Sequence, residues 1–217
     1  MLTLTAFTIY RHHTPLLHLP TLQVSAGAPL TLMGPSGCGK SSLLAAIIGS
    51  LPRHDAHTLA PVSWQGALHL DGEPFDKLPI ERRGIGLLFQ DDLLFAHLTV
   101  AENLLFATAA GKKGERMERV SAALEQAGLS ALATRLPHQI SGGERARISV
   151  LRALLARPRA LLLDEPFSKL DQPLRAAFRR WVFAQTQQIP VLMVTHDPND
   201  APADIVQLTG SWETPHA

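Results

Sequence analysis

Short apolar runs alternate along this chain with segments in which apolar residues recur every three or four positions. The runs predict buried strands over residues 28–34, 67–75, 84–90, 160–166, 189–197 and 204–210. Helical segments lie at residues 40–50 and 173–187, and the second opens on Pro173. Strands that alternate with helices in this way predict an α/β fold with a largely parallel sheet.

The pattern changes between residues 91 and 140, where no run predicts a strand. Apolar residues recur there at helical spacing, namely Met117, Val120, Leu124 and Ala127. Gly128 follows them as a C-terminal stop. We therefore predict an inserted helical subdomain over about 91–156, within a single domain whose remainder covers about 1–90 and 157–217.

Composition and charge exclude several classes of protein. The 217 residues suffice for one domain, and the single cysteine, Cys38, excludes an internal disulfide. A net charge of +1 without a run of basic residues gives no support to nucleic-acid binding. The first residues do not resemble a signal peptide, and no apolar run approaches the ~18 residues of a transmembrane helix. We therefore expect any membrane-spanning part to belong to another polypeptide.

A glycine-rich loop links the strand at 28–34 to the helix at 40–50. It fits G-x-x-x-x-G-K-[ST] and comprises Gly34, Pro35, Ser36, Gly37, Cys38, Gly39, Lys40 and Ser41. Its amides and the helix N-terminus would surround phosphate oxygens. Lys40 would place its charge on the β- and γ-phosphates, and the Ser41 hydroxyl would bind Mg²⁺. The alternative is a chance glycine loop before a helix.

Two acids end the apolar strand "LLLDE". The carboxyl ends of parallel strands are where ligands bind in such sheets. We therefore expect Asp164 to hold Mg²⁺ through water and Glu165 to polarise an attacking water. The alternative is an ordinary strand end with solvated acids.

A second candidate phosphate site lies at "ISGGE". Ser141 and Glu144 have the spacing of a capping box, which by itself indicates only a well-capped helix with one apolar face. Capping does not require Gly142 and Gly143, and such a glycine pair exposes amides to a ligand. One ATP already has a complete loop, so this site would serve the ATP of another copy. Two chains arranged head to tail would then enclose two nucleotides.

Taken together and in order, these motifs resemble those of the ATP-binding subunits of ABC transporters. The matches are residues 34–41 (Walker A), Gln90 (Q-loop), 140–144 (signature), 161–165 (Walker B), 168–171 (D-loop) and His196 (H-switch). The resemblance implies a P-loop NTPase with a RecA-like core, an antiparallel β-subdomain and an inserted α-helical subdomain. It covers nearly the whole of residues 1–217.

The resemblance also implies roles for single residues. Tyr10 matches the aromatic residue that stacks on adenine, and Ser42 stands where the family commonly has Thr. Gln90 would touch Mg²⁺ and the attacking water and would sense the membrane subunit. His196 would contact the γ-phosphate, and Asp171 would organise the dimer interface. The implied cofactors are ATP and Mg²⁺.

The function implied is that of an ATP-hydrolysing motor of a transporter. A homodimer would bind two permease subunits at the cytoplasmic face of the cell membrane, together with a separate solute-binding protein. Residues 84–106 look most like importers of iron, polyamines, thiamine or inorganic anions, and short subunits of the Ynj type in enteric bacteria look most similar. A thiamine-like cargo is therefore suggested. Residues 91–106 are the expected docking surface.

Two other functions compete with transport. A soluble ABC-type ATPase acting on nucleic acid or ribosomes commonly needs long insertions or two fused cassettes, and basic patches, and the sequence shows none of these. A small-molecule kinase would leave "ISGGE" unexplained. Scattered histidines also suggest a metal site, namely His12, His13, His18, His54 and His57. Their spacing matches no metal motif, so we expect solvated loop histidines. The long loop at 51–61 has no explanation from the sequence.

Overall fold

The computed structural model describes residues 1–168, 170, 172–202 and 204–208. The D-loop residue Asp171 and the last positions of the strand predicted over 204–210 therefore lie outside the described residues. The strands are β1 (Leu2–Arg11), β2 (Thr14–Val24), β3 (Leu30–Met33), β4 (Val62–Leu70), β5 (Glu73–Pro74), β6 (Ile85–Leu88), β7 (Ala160–Asp164), β8 (Val191–Val194) and β9 (Ile205–Gln207). The helices are α1 (Lys40–Ile48), α2 (Val100–Ala107), α3 (Lys113–Gln126), α4 (Gly142–Leu155) and α5 (Gln172–Gln185).

The central sheet is parallel, with the strand order β6-β7-β8-β3-β9. The central strands β3, β7 and β8 are buried on both faces, as the apolar runs predict, whereas the edge strand β9 is largely exposed. In β7, for example, Leu162 packs into the core on one face, whereas Leu161 and Leu163 pack into the core on the other. Because the strands are parallel, the segments after β3, β6, β7 and β8 all leave the same edge of the sheet.

A second, antiparallel sheet has the order β2-β1-β4-β5. The apolar side chains of β1 and β4 share one core with α1 and β3, and Phe7 stacks on Trp64 with ring centroids 5.4 Å apart. The strand predicted over 67–75 is confirmed as the end of β4, with its turn at Asp71–Gly72, but β4 begins earlier, at Val62. The sheet supports α1 and thereby the loop that precedes it.

Helices α2, α3 and α4 pack around a core of their own. Val120 and Leu124 of α3 are buried in it, but Met117 is 40% exposed, so the apolar face of α3 is narrower than the spacing suggests. Residues 91–140 contain helices and turns and, within this described segment, no strand. The subdomain boundaries near residues 91 and 156 stay a prediction. Across the described residues, every helix falls short of the length and hydropathy needed to cross a bilayer.

Candidate nucleotide-binding site

The glycine-rich loop leaves the carboxyl end of β3 and enters α1. Gly37 and Gly39 have φ angles of +81° and +100°, where a side chain would be strained. At Gly34 a Cβ atom would lie 2.7 Å from the Leu208 carbonyl oxygen. Glycine is therefore required at these positions by backbone geometry, and the loop curves around a concave surface.

The N-terminus of α1 begins with this loop. Its N-cap is Gly39, which has no side chain to accept from the first amides, and its first turn consists of Lys40, Ser41 and Ser42. The free amides and the positive end of the helix dipole both favour an anion. Lys40 folds back over the loop, where Nζ donates to the carbonyl oxygens of Gly34 at 2.7 Å and Pro35 at 2.9 Å.

A cleft of about 240 Å³ lies over this helix end. Its lining includes Ser36, Gly37, Gly39, Lys40, Ser41, Ser42, Asp164 and Glu165. The structure therefore brings the glycine loop together with Asp164 and Glu165 at the end of β7, as the sequence predicts. Burial raises the pKa of Asp164, and a hydrogen bond from Ser41 opposes that rise. A hydroxyl and a carboxylate in contact are oxygen ligands that suit Mg²⁺.

Glu165 and His196 contact each other at the edge of this cleft. His196 Nδ1 lies 3.0 Å from Glu165 Oε1. Glu165 has a φ angle of +47°, which is unusual for a residue other than glycine, and its N–H donates to the Val194 carbonyl. Non-glycine residues with positive φ concentrate at functional sites. This backbone turn directs the Glu165 carboxylate toward the cleft and His196.

A salt-bridged network holds the segment after β8 that carries His196. Arg175 of α5 donates through Nε and Nη2 to the two carboxylate oxygens of Asp200, whose side chain is buried. Arg175 Nη1 lies 3.0 Å from Asp197 Oδ2. The Thr195 hydroxyl donates to Asp200 at 3.1 Å. No sequence pattern points to Arg175, because its partners lie more than twenty residues away along the chain.

Gln90 lies in a different, smaller cleft. That cleft has a volume of about 20 Å³ and is lined by Gln90, Asp92, Gly142 and Ser168 among others. Gln90 is exposed. It is not one of the described residues that line the larger cleft. The contact of Gln90 with Mg²⁺ stays a prediction.

Two amides at the N-terminus of α4 are satisfied by side chains of the same helix end. The Ser141 N–H and hydroxyl both donate to the Glu144 carboxylate, at 2.7 and 2.8 Å, and Ser141 Oγ accepts from the Glu144 N–H at 3.3 Å. The predicted capping box is confirmed. The two glycines differ, because a Cβ at Gly143 would lie 2.8 Å from Leu174 Cδ2, whereas the nearest atom at Gly142 would be 3.8 Å away. Gly142 alone has the open space that ligand approach requires.

Three residues that line the larger cleft were missed by the sequence analysis. They are Arg11, Leu16 and Val194. The position of Arg11 beside Tyr10 was the available signal, because an aromatic residue proposed for adenine implies that its neighbour is also close to the nucleotide. Tyr10 itself stacks on His54 and donates its O–H to Gln65 Oε1 at 3.2 Å.

The expectation of solvated loop histidines is wrong for two of them. His18 lies in β2 with its Nδ1 2.8 Å from the Thr8 hydroxyl, and the His54 ring is stacked and hydrogen-bonded. Within the described residues, no group of three or more His, Cys, Asp or Glu side chains is arranged to hold a metal ion.

Comparison with known proteins identifies the family. A model of the ABC transporter family matches residues 17–168. The chain belongs to the ABC transporter family. It is 50% identical over 184 residues to the uncharacterized ABC transporter ATP-binding protein YnjD of Escherichia coli (strain K12), covering 83% of this chain and 82% of that protein. It is 40% identical over 205 residues to the thiamine import ATP-binding protein ThiQ of Escherichia coli O157:H7, covering 93% and 83%.

Further relatives of this ABC subunit extend the comparison. The Fe(3+) ions import ATP-binding protein FbpC of Mesorhizobium japonicum is 39% identical over 202 residues, which cover 89% of this chain and 53% of that protein. Among solved structures, the dimeric structure of MJ0796, a bacterial ABC transporter cassette, superposes with a TM-score of 0.75 at 26% identity, covering 97% of this chain and 95% of that one. The predicted fold is confirmed, and the chain is an ATP-binding ABC transporter ATPase.

Proposed function

We propose that this ABC subunit hydrolyses ATP in a head-to-tail homodimer and thereby drives import of a small solute through separate permease subunits. The observation that carries the proposal is an incomplete site. Among the described residues, those that line the larger cleft come from β1, β2, the glycine loop, α1 and the ends of β7 and β8, and none comes from α4. The Ser141 helix end of a second copy would complete the site. The relation to MJ0796, described as dimeric, supports this arrangement.

The cleft supplies groups that match the needs of phosphoryl transfer. Lys40 would exchange its two carbonyl acceptors for phosphate oxygens, and the α1 amides would donate to the same oxygens. Ser41 and Asp164 would hold Mg²⁺, which neutralises charge that develops on the transferring phosphoryl group.

The contact between Glu165 and His196 suits activation of a water molecule. Glu165 would accept a proton from the attacking water, and His196 would turn toward the γ-phosphate. The two side chains are within hydrogen-bond distance of each other in the single chain, so binding of ATP would separate or reorient them. Positioning of groups and stabilisation of charge account for most catalysis of phosphoryl transfer.

Four exposed apolar side chains lie along the chain between the Q-loop and α2, and we call them the docking patch. They are Phe89, Leu93, Phe95 and Phe106. The Phe95 and Phe106 rings pack edge to face with centroids 4.9 Å apart. Exposed apolar side chains grouped in this way mark interaction surfaces. The patch is the proposed contact with a permease subunit.

The docking patch is tied to α4 by a polar clamp. The Asp92 carboxylate accepts from Arg145 Nε at 2.9 Å, and its carbonyl accepts from the Ser149 hydroxyl at 2.7 Å. Arg152 donates to the carbonyls of Leu93 and Asp92. A shift of the patch would therefore displace the helix whose N-terminus faces the partner's ATP, which couples transport to hydrolysis.

The relatives guide the proposed cargo and location. ThiQ is a thiamine import protein and FbpC an Fe(3+) ion import protein, so we assign this chain to import, with a thiamine-like solute as the working cargo. A separate solute-binding protein would deliver the cargo. The subunit would then work at the cytoplasmic face of the cell membrane.

Glu165→Gln tests the proposed mechanism. The variant should still bind ATP, but hydrolysis should fall about 10²–10⁴-fold because the proton acceptor is lost. The unhydrolysed nucleotide should then hold a stable dimer, measured by size exclusion with light scattering. Glu125→Gln, an exposed position on α3, is the matched control and should behave as the parent chain. Normal hydrolysis by the Glu165 variant, or a monomer at saturating ATP, would contradict the proposal.

A separate experiment tests the docking patch. Phe106→Glu should abolish co-purification with membrane subunits from the native host and leave ATP binding unchanged. The control is Leu59→Glu, because Leu59 is 97% exposed and lies outside the patch. Co-purification that survives Phe106→Glu would remove the patch from its assigned role.

A further inference from the structure

The Tyr10 ring is covered on one face by the His54 imidazole. The two ring centroids lie 3.9 Å apart, and the ring planes are inclined by 11°. At that distance and angle nothing can be inserted between the rings. A planar base that stacks on Tyr10 must therefore use the opposite face of the ring or displace His54.

Both rings of this pair are fixed by hydrogen bonds to β4. His54 Nδ1 lies 2.8 Å from the hydroxyl of Ser63, which is buried and pairs directly with Tyr10 across the two strands. The His54 N–H donates to the Trp64 carbonyl at 2.6 Å. The Tyr10 O–H donates to Gln65 at 3.2 Å. Three successive residues of β4 therefore hold the stacked pair in register.

The β1–β2 turn also contacts His54 and the loop that carries it. Its two residues, His12 and His13, have φ angles of 50° and 53°. Such angles are costly for residues other than glycine, although histidine adopts them more often than most. The turn places the His13 ring edge-on to His54 with centroids 5.3 Å apart, and the His12 N–H donates to the Pro61 carbonyl at 2.9 Å. The long 51–61 loop, which carries His54, is thus tied to the turn at both His54 and Pro61.

We propose that His54 is a positioning residue for the adenine base, as the back layer of a stack formed by His54, Tyr10 and the base. The inference rests on the proposed role of Tyr10. Arg11, the next residue, lines the phosphate cleft, so the backbone of Tyr10 adjoins a residue of that cleft. Because its torsions are already fixed, Tyr10 loses little side-chain freedom when a base stacks on it. The proposed function of the loop 51–61 is therefore to place His54 behind the Tyr10 ring.

The test compares a ligand that carries the base with one that lacks it. His54→Ala should weaken Mg²⁺-ATP binding about three- to tenfold, because the stacked support of Tyr10 is lost. Binding of Mg²⁺-tripolyphosphate should be unchanged, since that ligand contacts only the phosphate cleft. His57→Ala, a change to an exposed residue of the same loop, is the matched control. His54→Phe keeps a flat ring and should restore ATP affinity to within about twofold of the parent chain.

A direct spectroscopic readout is available because Tyr10 is the only tyrosine of the sequence. Fluorotyrosine incorporation should give one ¹⁹F resonance. That resonance should shift on addition of ATP but not of tripolyphosphate. His54→Ala should move the resonance in the free protein, because the ring current of the stacked imidazole is removed, whereas His57→Ala should leave it unchanged. A free-protein resonance that His54→Ala leaves unmoved would overturn the stacked support.

The outcomes separate this inference from the proposed function. Unchanged ATP affinity in His54→Ala, while Tyr10→Ala loses the preference for ATP over tripolyphosphate, would overturn the role of His54 and leave that of Tyr10. Tighter ATP binding in His54→Ala would also overturn it, because His54 would then occupy the face that the base requires. A Tyr10→Ala variant that keeps its preference for ATP would remove Tyr10 from its assigned role.

Discussion

The N-termini of α1 and α4 are both proposed to meet ATP phosphates, yet they are built in opposite ways. α1 follows a glycine in the left-handed conformation, and its first turn carries a lysine and two serines. α4 follows Ser141 and carries Glu144, and the two side chains satisfy each other. The first helix end has no acidic side chain and is open to an anion. The second, here called closed, carries a carboxylate that satisfies the Ser141 amide, and its capping box does not engage the amides of Gly142 and Gly143.

Because of this difference, the N-terminus of α1 lacks side-chain partners when no ligand is bound, whereas that of α4 is capped without a ligand. The amides of α1 depend on phosphate or water for their hydrogen bonds. The capping box lets α4 remain folded while its N-terminus faces solvent in the single chain. The proposed contact with the partner's ATP would form and dissolve in each cycle, and such a stable resting state would suit it. The cost is a negative charge beside the proposed position of the partner's γ-phosphate.

The largest effect is expected when the N-terminus of α1 is given a carboxylate like that of α4. Ser42→Glu places a carboxylate in the first turn of α1, where it favours the helix dipole and should raise Tm by about 1–4 °C. ATP affinity should fall about 10³-fold, because two units of phosphate charge at ~8 Å cost about 4 kcal/mol at an effective dielectric constant of ~20. Calorimetric titration and thermal melts measure the two effects, which have opposite signs.

Ser42→Gln is the matched control for that change. It adds the same volume to the cleft without the charge and should therefore keep most of the ATP affinity. Equal losses of affinity in the two variants would show that space rather than charge controls binding at this helix end.

A second prediction compares two capping boxes within the chain. Thr99 and Glu102 cap α2 with the same hydrogen bonds that Ser141 and Glu144 make at α4. Thr99→Ala and Ser141→Ala should each reduce the free energy of unfolding by about 1 kcal/mol, measured by denaturant titration. Only Ser141→Ala should also lower ATP hydrolysis, by about 10²-fold, because it removes a donor to the partner's phosphate. Equal hydrolysis in the two variants would reduce Ser141 to a structural cap.

The sequence predicts the helix ends well, because their determinants lie within a few residues. The glycine loop, the Ser141 capping box and the acids at the end of β7 all depend on local spacing. The signal for parallel strands buried on both faces is equally local, because an apolar run can be recognised without knowing which strand it pairs with.

What the sequence does not predict depends on long-range contacts. The His54 stack forms only because β4 places Ser63 opposite Tyr10 and the loop then turns back on the pair. The hold of Arg175 on the His196 segment likewise depends on how α5 packs beside β8. The two signature glycines differ because Leu174 lies close to Gly143 and not to Gly142. The position of Leu174 depends on the fold and cannot be predicted from local sequence.

That difference between the glycines gives a third prediction. Gly142→Ala meets open space in the single chain, so its stability should be equal or higher by up to about 1 kcal/mol. ATP-driven dimerisation should weaken about tenfold, because the added methyl group lies where the partner's nucleotide approaches. Gly143→Ala should instead lower stability through its contact with Leu174. Dimerisation unaffected by Gly142→Ala would show that no ligand approaches this helix end.

The smallest expected effect comes from neutralising the closed helix end. Glu144→Gln keeps an acceptor for the Ser141 N–H but removes the charge that would face the partner's phosphates. ATP-driven dimerisation should strengthen about two- to fivefold. Glu102→Gln at α2 provides the control and should leave dimerisation unchanged, as measured by analytical ultracentrifugation. A weaker dimer in the Glu144 variant would mean that the carboxylate contributes to the interface rather than opposing it.

The same substitution has a signature in the pH dependence of stability. Hydrogen bonds from the Ser141 backbone and side chain lower the pKa of Glu144 below its ordinary value of 4.5. Because the pKa is lower in the folded chain, this stabilisation is complete above pH 4.5 and is lost as the pH falls through the lowered pKa. Glu144→Gln removes the titrating group and should flatten that part of the acid unfolding curve. A curve that keeps its full slope would show that the capping carboxylate does not set the stability of α4, and the closed helix end would then need another explanation.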